Sequence, residues 1–97
     1  MRDLIMQAIR EKRVIGIRYN NFDRTIEPHA FGLNKKGRYI LRAYQAGGGS
    51  SSFSPVDWKL FLLDEVQSIT LTETFFPGPR HGYKRGDPAI ARIVAEL

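Results

Sequence analysis

The residues of this sequence that could do chemistry are cations interleaved with aromatic rings. In the segment Arg38–Gln45 the charged and ring side chains alternate with apolar ones, so a strand would place Arg42 and Tyr44 on one face. A guanidinium beside a ring can neutralise a phosphate and stack on a base. The predicted ligand-binding residues are His29, Tyr39, Arg42, Tyr44 and Lys59.

Further cations form a second group of candidates. Arg42 stands between apolar neighbours with no carboxylate near it in sequence, which favours a functional role for its charge. The segment Arg80–Arg85 places cations around Tyr83 in an arm with glycine, and this arm could close over a ligand. The predicted secondary anion contacts are Arg18, Arg38, Arg80, Lys84 and Arg85.

These residues also have interpretations without function. Trp58 is more readily explained as a core residue, because a lone Trp in a small domain is usually buried. Tyr44 could be half-buried in the core while the arginines are simply solvated, and the cationic arm could be a solvated linker.

Patterns typical of catalysis or metal binding are weak. His29 and His81 lack the spacing of a metal site, and the serines near Gly47–Ser52 lie in a glycine-rich loop with no base nearby. Turns and strand ends account for the carboxylates. The chain is therefore predicted to be non-catalytic, with no cofactor and no metal.

The composition is that of a single globular domain. Its 97 residues leave room for one core, and 42% hydrophobic and 26% charged residues are ordinary proportions. The net charge of +5 makes polyanions candidate partners, although solubility alone could account for it. No apolar run is long enough for a membrane span, and cysteine and a secretory signal are absent from the sequence, so a cytoplasmic location is predicted.

The elements that position these residues follow from hydrophobic periodicity. Leu4, Ile5, Ala8 and Ile9 share one helical face, which predicts a helix over residues 1–13. The period then changes to two, and turn residues divide residues 14–73 into five strands. Short strands with tight turns after one helix are typical of a small β-barrel.

The tail, residues 74–97, reads as an arm followed by a helix. Its prolines and glycines indicate an extended arm, and Asp87-Pro88 resembles a capped helix start. The apolar stripe has helical spacing and either packs on its own barrel or pairs with a second copy. A homodimer would form through Ile90, Ile93, Val94 and Leu97.

Three separated blocks resemble the WYL domain family, and most closely its short stand-alone bacterial or phage members without a helix-turn-helix. The blocks are Arg24–His29, Arg38–Tyr44 and Trp58–Val66. The resemblance implies an Sm-like small barrel over residues 1–97. It also implies a ligand-sensing role in transcription regulation or phage defence, with nucleotides or single-stranded nucleic acid as ligands.

The resemblance also assigns family positions to particular residues. The naming triad of the family falls on Tyr39–Leu41, and its Pro-His pair on Pro28 and His29. The arginine of the fourth strand falls on Lys59, which keeps the charge.

We therefore predict an α+β, mainly β, domain. It consists of an N-terminal helix, a five-stranded antiparallel barrel, an extended arm and a short C-terminal helix. The predicted function is non-catalytic binding of a nucleotide or single-stranded nucleic acid, with Arg42 and Lys59 at the phosphate and Tyr44 and His29 at the base. The alternative is a protein–protein interaction or homo-oligomerisation module.

Overall fold

Antiparallel strand pairing dominates the computed structural model, which describes residues 1–51 and 54–97. Within those residues the chain forms one α-helix, six strands and a 3₁₀ turn. In order they are α1 (Arg2–Glu11), β1 (Arg13–Tyr19), β2 (Phe22–Leu33), β3 (Tyr39–Gly48), β4 (Asp57–Leu62), the 3₁₀ turn (Leu63–Glu65), β5 (Val66–Phe75) and β6 (Arg92–Glu96). The predicted α+β, mainly β, class is confirmed, whereas the predicted loop Gly47–Ser52 begins later and its end at Ser52 lies outside the described residues.

The strands form one sheet in the order β4-β3-β2-β1-β5, with β6 beside β2. β2 is long enough to serve two neighbours on one side: its first half pairs with β1, and Ala30–Leu33 pair with β6. The sheet has six strands rather than five, and in the described part of the chain it is not closed, since β4 and β5 lie at its two ends.

The helix α1 covers one face of the sheet, as its periodicity predicts. Ile5, Ala8 and Ile9 are buried against the main core, and Asp3 in the first turn suits the helix dipole. Lys12 ends the helix in the left-handed conformation with φ 55°, and its backbone N–H bonds back to the last turn. The main core includes Ile15, Ile17, Ile26, Phe31, Leu41, Ala43 and Phe61.

The prediction of a C-terminal helix is wrong. Asp87 to Ile90 form only a turn, with the Ile90 N–H 3.0 Å from the Asp87 carbonyl oxygen, and the chain continues as β6. Instead of forming a helix, this segment pairs with Ala30–Leu33 of β2. The two strands are far apart along the chain, so the spacing of residues within the tail does not reveal the pairing. The β-branched Ile93 and Val94 suit a strand better than a helix.

The apolar stripe predicted for a homodimer is consequently dispersed. Ile90 is buried in a second core with Ala30 and Ile40, whereas Leu97 packs at the edge of the main core. Ile93 and Val94 are exposed on β6. The single apolar face on which the dimer hypothesis rested is therefore not formed.

The second core attaches the tail to the face of the sheet opposite α1, which we call the outer face. Between β5 and β6 the arm, residues 76–91, crosses this face and contributes Tyr83, Ala89 and Ile90 to it. A Cβ added at Gly32 would clash with the Arg92 carbonyl oxygen and lie 2.6 Å from Ile90 Cγ2. The tail thus approaches β2 so closely that only glycine fits there.

Among the described residues, no helix combines the length and the apolar character that crossing a bilayer requires.

Candidate ligand-binding site

His29 organises the outer face from a break in the β2–β3 register, which shifts between Pro28 and Ala30. Its ring Nε2 accepts the Arg80 backbone N–H at 3.0 Å, and its Nδ1 lies 2.8 Å from the Glu27 carbonyl oxygen. Because a backbone amide can only donate, Nδ1 carries the proton and the ring is neutral. Burial lowers the pKa of His29 below its ordinary value of 6.5.

His29 is also fully buried, so it does not face a ligand in this structure. Both ring nitrogens are occupied, which leaves neither of them to hydrogen-bond a base. We therefore assign His29 a positioning role in holding the arm, in contrast to the direct contact with a base that the sequence predicts.

Three rings from β4 and the arm pack around this imidazole and form an aromatic cluster. The His29 ring centroid lies 4.7 Å from that of Trp58, 5.0 Å from Tyr83 and 5.5 Å from Phe76. Trp58 in turn meets Tyr44 edge-on at 5.4 Å and stacks near Tyr83 at 6.1 Å. Such offset and edge-to-face pairs are favourable arrangements of aromatic quadrupoles.

A cavity opens beside this cluster, and we call it the Trp58 cavity. Its volume is about 230 Å³, below the roughly 300–1,000 Å³ of most small-molecule sites, so it suits one planar ring rather than a whole nucleotide. Its lining residues are Arg42, Trp58, Gly82, Tyr83, Lys84, Asp87 and Pro88. Trp58 thus packs on the buried imidazole with part of its surface and lines a cavity with another part.

Arg42 lines this cavity and is paired with a carboxylate that lies far away in sequence. Its Nε donates to Asp87 Oδ2 at 2.6 Å across 45 residues of chain, so Arg42 has a carboxylate partner although none lies near it in sequence. Asp87 Oδ1 accepts the Ala89 N–H at 2.9 Å. The hydrogen bond from Arg42 lowers the pKa of the Asp87 carboxyl group.

Arg80 forms a comparable pair, although it lines a separate cavity together with Glu27 and not the Trp58 cavity. Its Nε and Nη2 donate to the two carboxylate oxygens of Glu27 at 2.8 and 3.0 Å. Its guanidinium lies over the Tyr44 ring, with Cζ 4.4 Å from the centroid. The sequence predicts a guanidinium beside the Tyr44 ring but assigns it to Arg42 of β3, whereas the arginine over this ring is Arg80 of the arm.

The structure brings together only part of the predicted residue set. Trp58, not Lys59, stands opposite Tyr44 in the ladder, and Lys59 pairs with the buried Ala43. Lys59 therefore lies on the other face of the sheet from Arg42, and its Nζ is 2.8 Å from the Ser54 carbonyl oxygen. The predicted grouping of Lys59 with Arg42 and Tyr44 is not found.

Other predicted residues lie in other parts of the fold. Tyr39 faces the α1 side of the sheet, where it stacks on Phe31 at 5.3 Å and accepts a hydrogen bond from Arg2. Three of the remaining secondary cations are paired with acids. These pairs are Arg18 with Asp23 at 2.9 Å, Arg38 with Asp64 at 2.8 Å and Arg85 with Glu96 at 3.1 Å.

The sequence reasoning missed the acids of this site. Asp87 reads as a helix cap and Glu27 as a strand carboxylate, and no local pattern links either to its arginine. A weaker signal did exist for Tyr83, which the cations of the arm surround.

No group of three or more His, Cys, Asp or Glu side chains within residues 1–51 and 54–97 is arranged to hold a metal ion.

Comparisons with family models, with curated proteins and with solved structures find no match to the chain. The site geometry is therefore the basis for a functional assignment.

Proposed function

We propose that the Trp58 cavity binds, without catalysis, the planar ring of an anionic ligand: a nucleotide or one base of single-stranded nucleic acid. The observation that supports this most is the position of the Trp58 and Tyr83 rings beside Arg42 and Lys84. Stacking of a base on an aromatic side chain contributes about 1–3 kcal/mol and is available to any base.

The cavity volume and the nearby cations indicate where the two parts of such a ligand, its ring and its phosphate, would bind. A cavity of about 230 Å³ takes the ring, and the phosphate remains outside it. Lys84 is exposed and has no hydrogen-bond or ion-pair partner in the described part of the chain, so its ammonium is available to the phosphate. Nη1 of Arg42 can add a further donor.

We also propose that the chain is a WYL-like domain with an Sm-like barrel arrangement. An N-terminal helix followed by five consecutive antiparallel strands supports this assignment, as do the sequence blocks that resemble the family. A cytoplasmic role in transcription regulation or phage defence belongs to the same proposal.

Trp58 makes the binding proposal directly measurable, because it is the only tryptophan in the chain. Titration with adenosine monophosphate and with a short oligothymidylate should change its emission. Fluorescence anisotropy of a labelled oligothymidylate should show weaker binding at higher salt, since counterions compete for the phosphates.

The matched variants are Lys84→Ala at the cavity and Lys35→Ala in the β2–β3 turn. Both remove one positive charge, but only Lys84 lines the cavity, so only Lys84→Ala should weaken binding by several fold. Equal affinities of the two variants, or no response of Trp58 to either ligand, would contradict the proposed site.

A further inference from the structure

The ion pairs of the outer face share an asymmetry in exposure. The Glu27 side chain is 8% exposed while its partner Arg80 is 45% exposed. Asp87 is 9% exposed while Arg42 is 27% exposed. In both pairs the carboxylate lies beneath and the guanidinium faces solvent, so the surface presents donors rather than acid oxygens.

Arg85 and Glu96 share this asymmetry, at 71% and 16% exposed, but two other pairs have the opposite arrangement. Asp23 is 85% exposed against 41% for Arg18, and Asp64 is 63% exposed against 42% for Arg38. Those are ordinary surface pairs, in which the acid is the more solvated partner. Among the acids of the ion pairs in the described residues, Glu27 and Asp87 are thus the two least exposed.

The hydrogen bonds within the two pairs leave the same edge of each arginine open. Glu27 takes Nε and Nη2 of Arg80, and Asp87 takes Nε and Nη2 of Arg42. In the described part of the chain Nη1 of both arginines has no partner. A guanidinium held by one edge presents its remaining N–H groups in a fixed direction, which suits the oxygens of a phosphate or carboxylate.

We infer that Glu27 and Asp87 are positioning residues, which fix Nη1 of Arg80 beside Tyr44 and Nη1 of Arg42 at the Trp58 cavity for anionic groups of the ligand. This inference rests on the proposed function. It adds that two buried acids are needed to bind an anion, although their charge opposes it.

The two possible roles of these acids predict effects of opposite sign. Asp87→Asn and Glu27→Gln each remove a negative charge that lies beneath an arginine of the outer face. If the acids acted through charge alone, an anionic probe would bind more tightly to both variants. If the acids position the arginines, binding weakens, because an amide holds a guanidinium less firmly than a carboxylate does.

The experiment measures the anisotropy of fluorescein-labelled oligothymidylate of eight nucleotides with the full chain at two salt concentrations. We expect Asp87→Asn and Glu27→Gln to bind about threefold to tenfold more weakly than the unsubstituted chain. The salt slope should fall by about one, as if one phosphate contact were lost. Asp64→Asn, which removes the same charge from the exposed Arg38 pair, should bind as well as the unsubstituted chain or slightly better.

Arg42→Lys keeps the charge and tests the inference through the arginine itself, in case an acid variant fails to fold. It should weaken binding as much as Asp87→Asn, and adding Asp87→Asn to it should weaken binding little further. Equal or tighter binding by folded Asp87→Asn and Glu27→Gln, or unchanged binding by folded Arg42→Lys, would overturn the positioning role and leave the proposed function standing. Failure of the unsubstituted chain to bind the probe would overturn both.

Discussion

At the scale of single residues, His29 joins β2 to the arm and to the C-terminal residue Leu97. Its carbonyl oxygen accepts the Leu97 N–H at 2.9 Å and the Tyr83 hydroxyl at 3.4 Å, and its ring accepts the Arg80 N–H. The charged groups that face it are Glu27 and Arg80. Protonation of Nε2 would place a donor against the donor of Arg80, so the docked arm requires the neutral ring.

This requirement predicts that stability depends on pH. Because burial lowers the pKa of folded His29 below 6.5, the unfolded chain takes up the proton first. The contribution of His29 to stability is complete above about pH 6.5. It is lost as the pH falls below that value towards the folded pKa, by at most about 1.4 kcal/mol per pH unit.

Urea unfolding at pH 7.5, 6.5 and 5.5 measures this effect. We expect the unsubstituted chain and His81→Gln, which alters an exposed imidazole, to lose stability towards pH 5.5. His29→Gln should show a flatter profile. An equal slope in His29→Gln would mean that another group is responsible.

At the scale of elements, the close approach of the tail to β2 depends on Gly32. Gly16 lies in a neighbouring strand, where an added Cβ would meet only the Arg24 carbonyl oxygen at 4.0 Å. The two glycines are thus a matched pair for substitution: Gly32 leaves no room for a side chain, whereas Gly16 does.

We expect Gly32→Ala to displace β6 and cost about 2–4 kcal/mol in the free energy of unfolding, since overpacked contacts to backbone relax poorly. Gly16→Ala should change stability by less than about 1 kcal/mol. Urea unfolding and hydrogen exchange of the β6 amides measure both. Similar stabilities would show that the tail is held less tightly than the structure indicates.

The packing of the tail on β2 predicts that Ile90 and Ile93 contribute differently to stability, although a helix would have placed both on one face. Ile90→Ala should destabilise the chain by about 2–3 kcal/mol, because the side chain is buried against Ala30 and Ile40. Ile93→Ala alters an exposed side chain on β6 and should cost less than about 1 kcal/mol. Equal losses would instead support the helical stripe.

The sequence predicts those elements whose pattern is local. The faces of α1 and the alternation along β1 and β3 are readable because each periodicity lies within one segment. The position of Trp58 opposite Tyr44 is not readable, since a shift of one residue in the β3–β4 register would have placed Lys59 there instead. Arg42 pairs with Asp87, and β6 pairs with β2. Both pairings join segments that are distant in sequence, so no local sequence pattern predicts them.

At the scale of the whole molecule, one sheet separates two cores. The main core lies between the sheet and α1, and the smaller core lies beneath the arm on the outer face. The candidate site adjoins the smaller core through Tyr83. At this site Tyr83 and Asp87 of the arm meet Trp58 and Arg42 of the sheet.

A version ending at Gly86 tests how far the tail supports the whole chain. It lacks Asp87, Ile90 and β6, so it leaves Arg42 unpaired and uncovers half an edge of β2. We expect this version to unfold at lower urea and to self-associate in light scattering. The full chain, which retains these features, serves as the control. A stable, monomeric protein ending at Gly86 would show that the tail is dispensable.

The opposed positions of the helix and the arm bear on how such a chain can diverge. The residues that close the scaffold on the α1 side are different from those that line the cavity on the other. Descendants could therefore exchange side chains in the arm and acquire new ligand preferences while inheriting an unaltered interior.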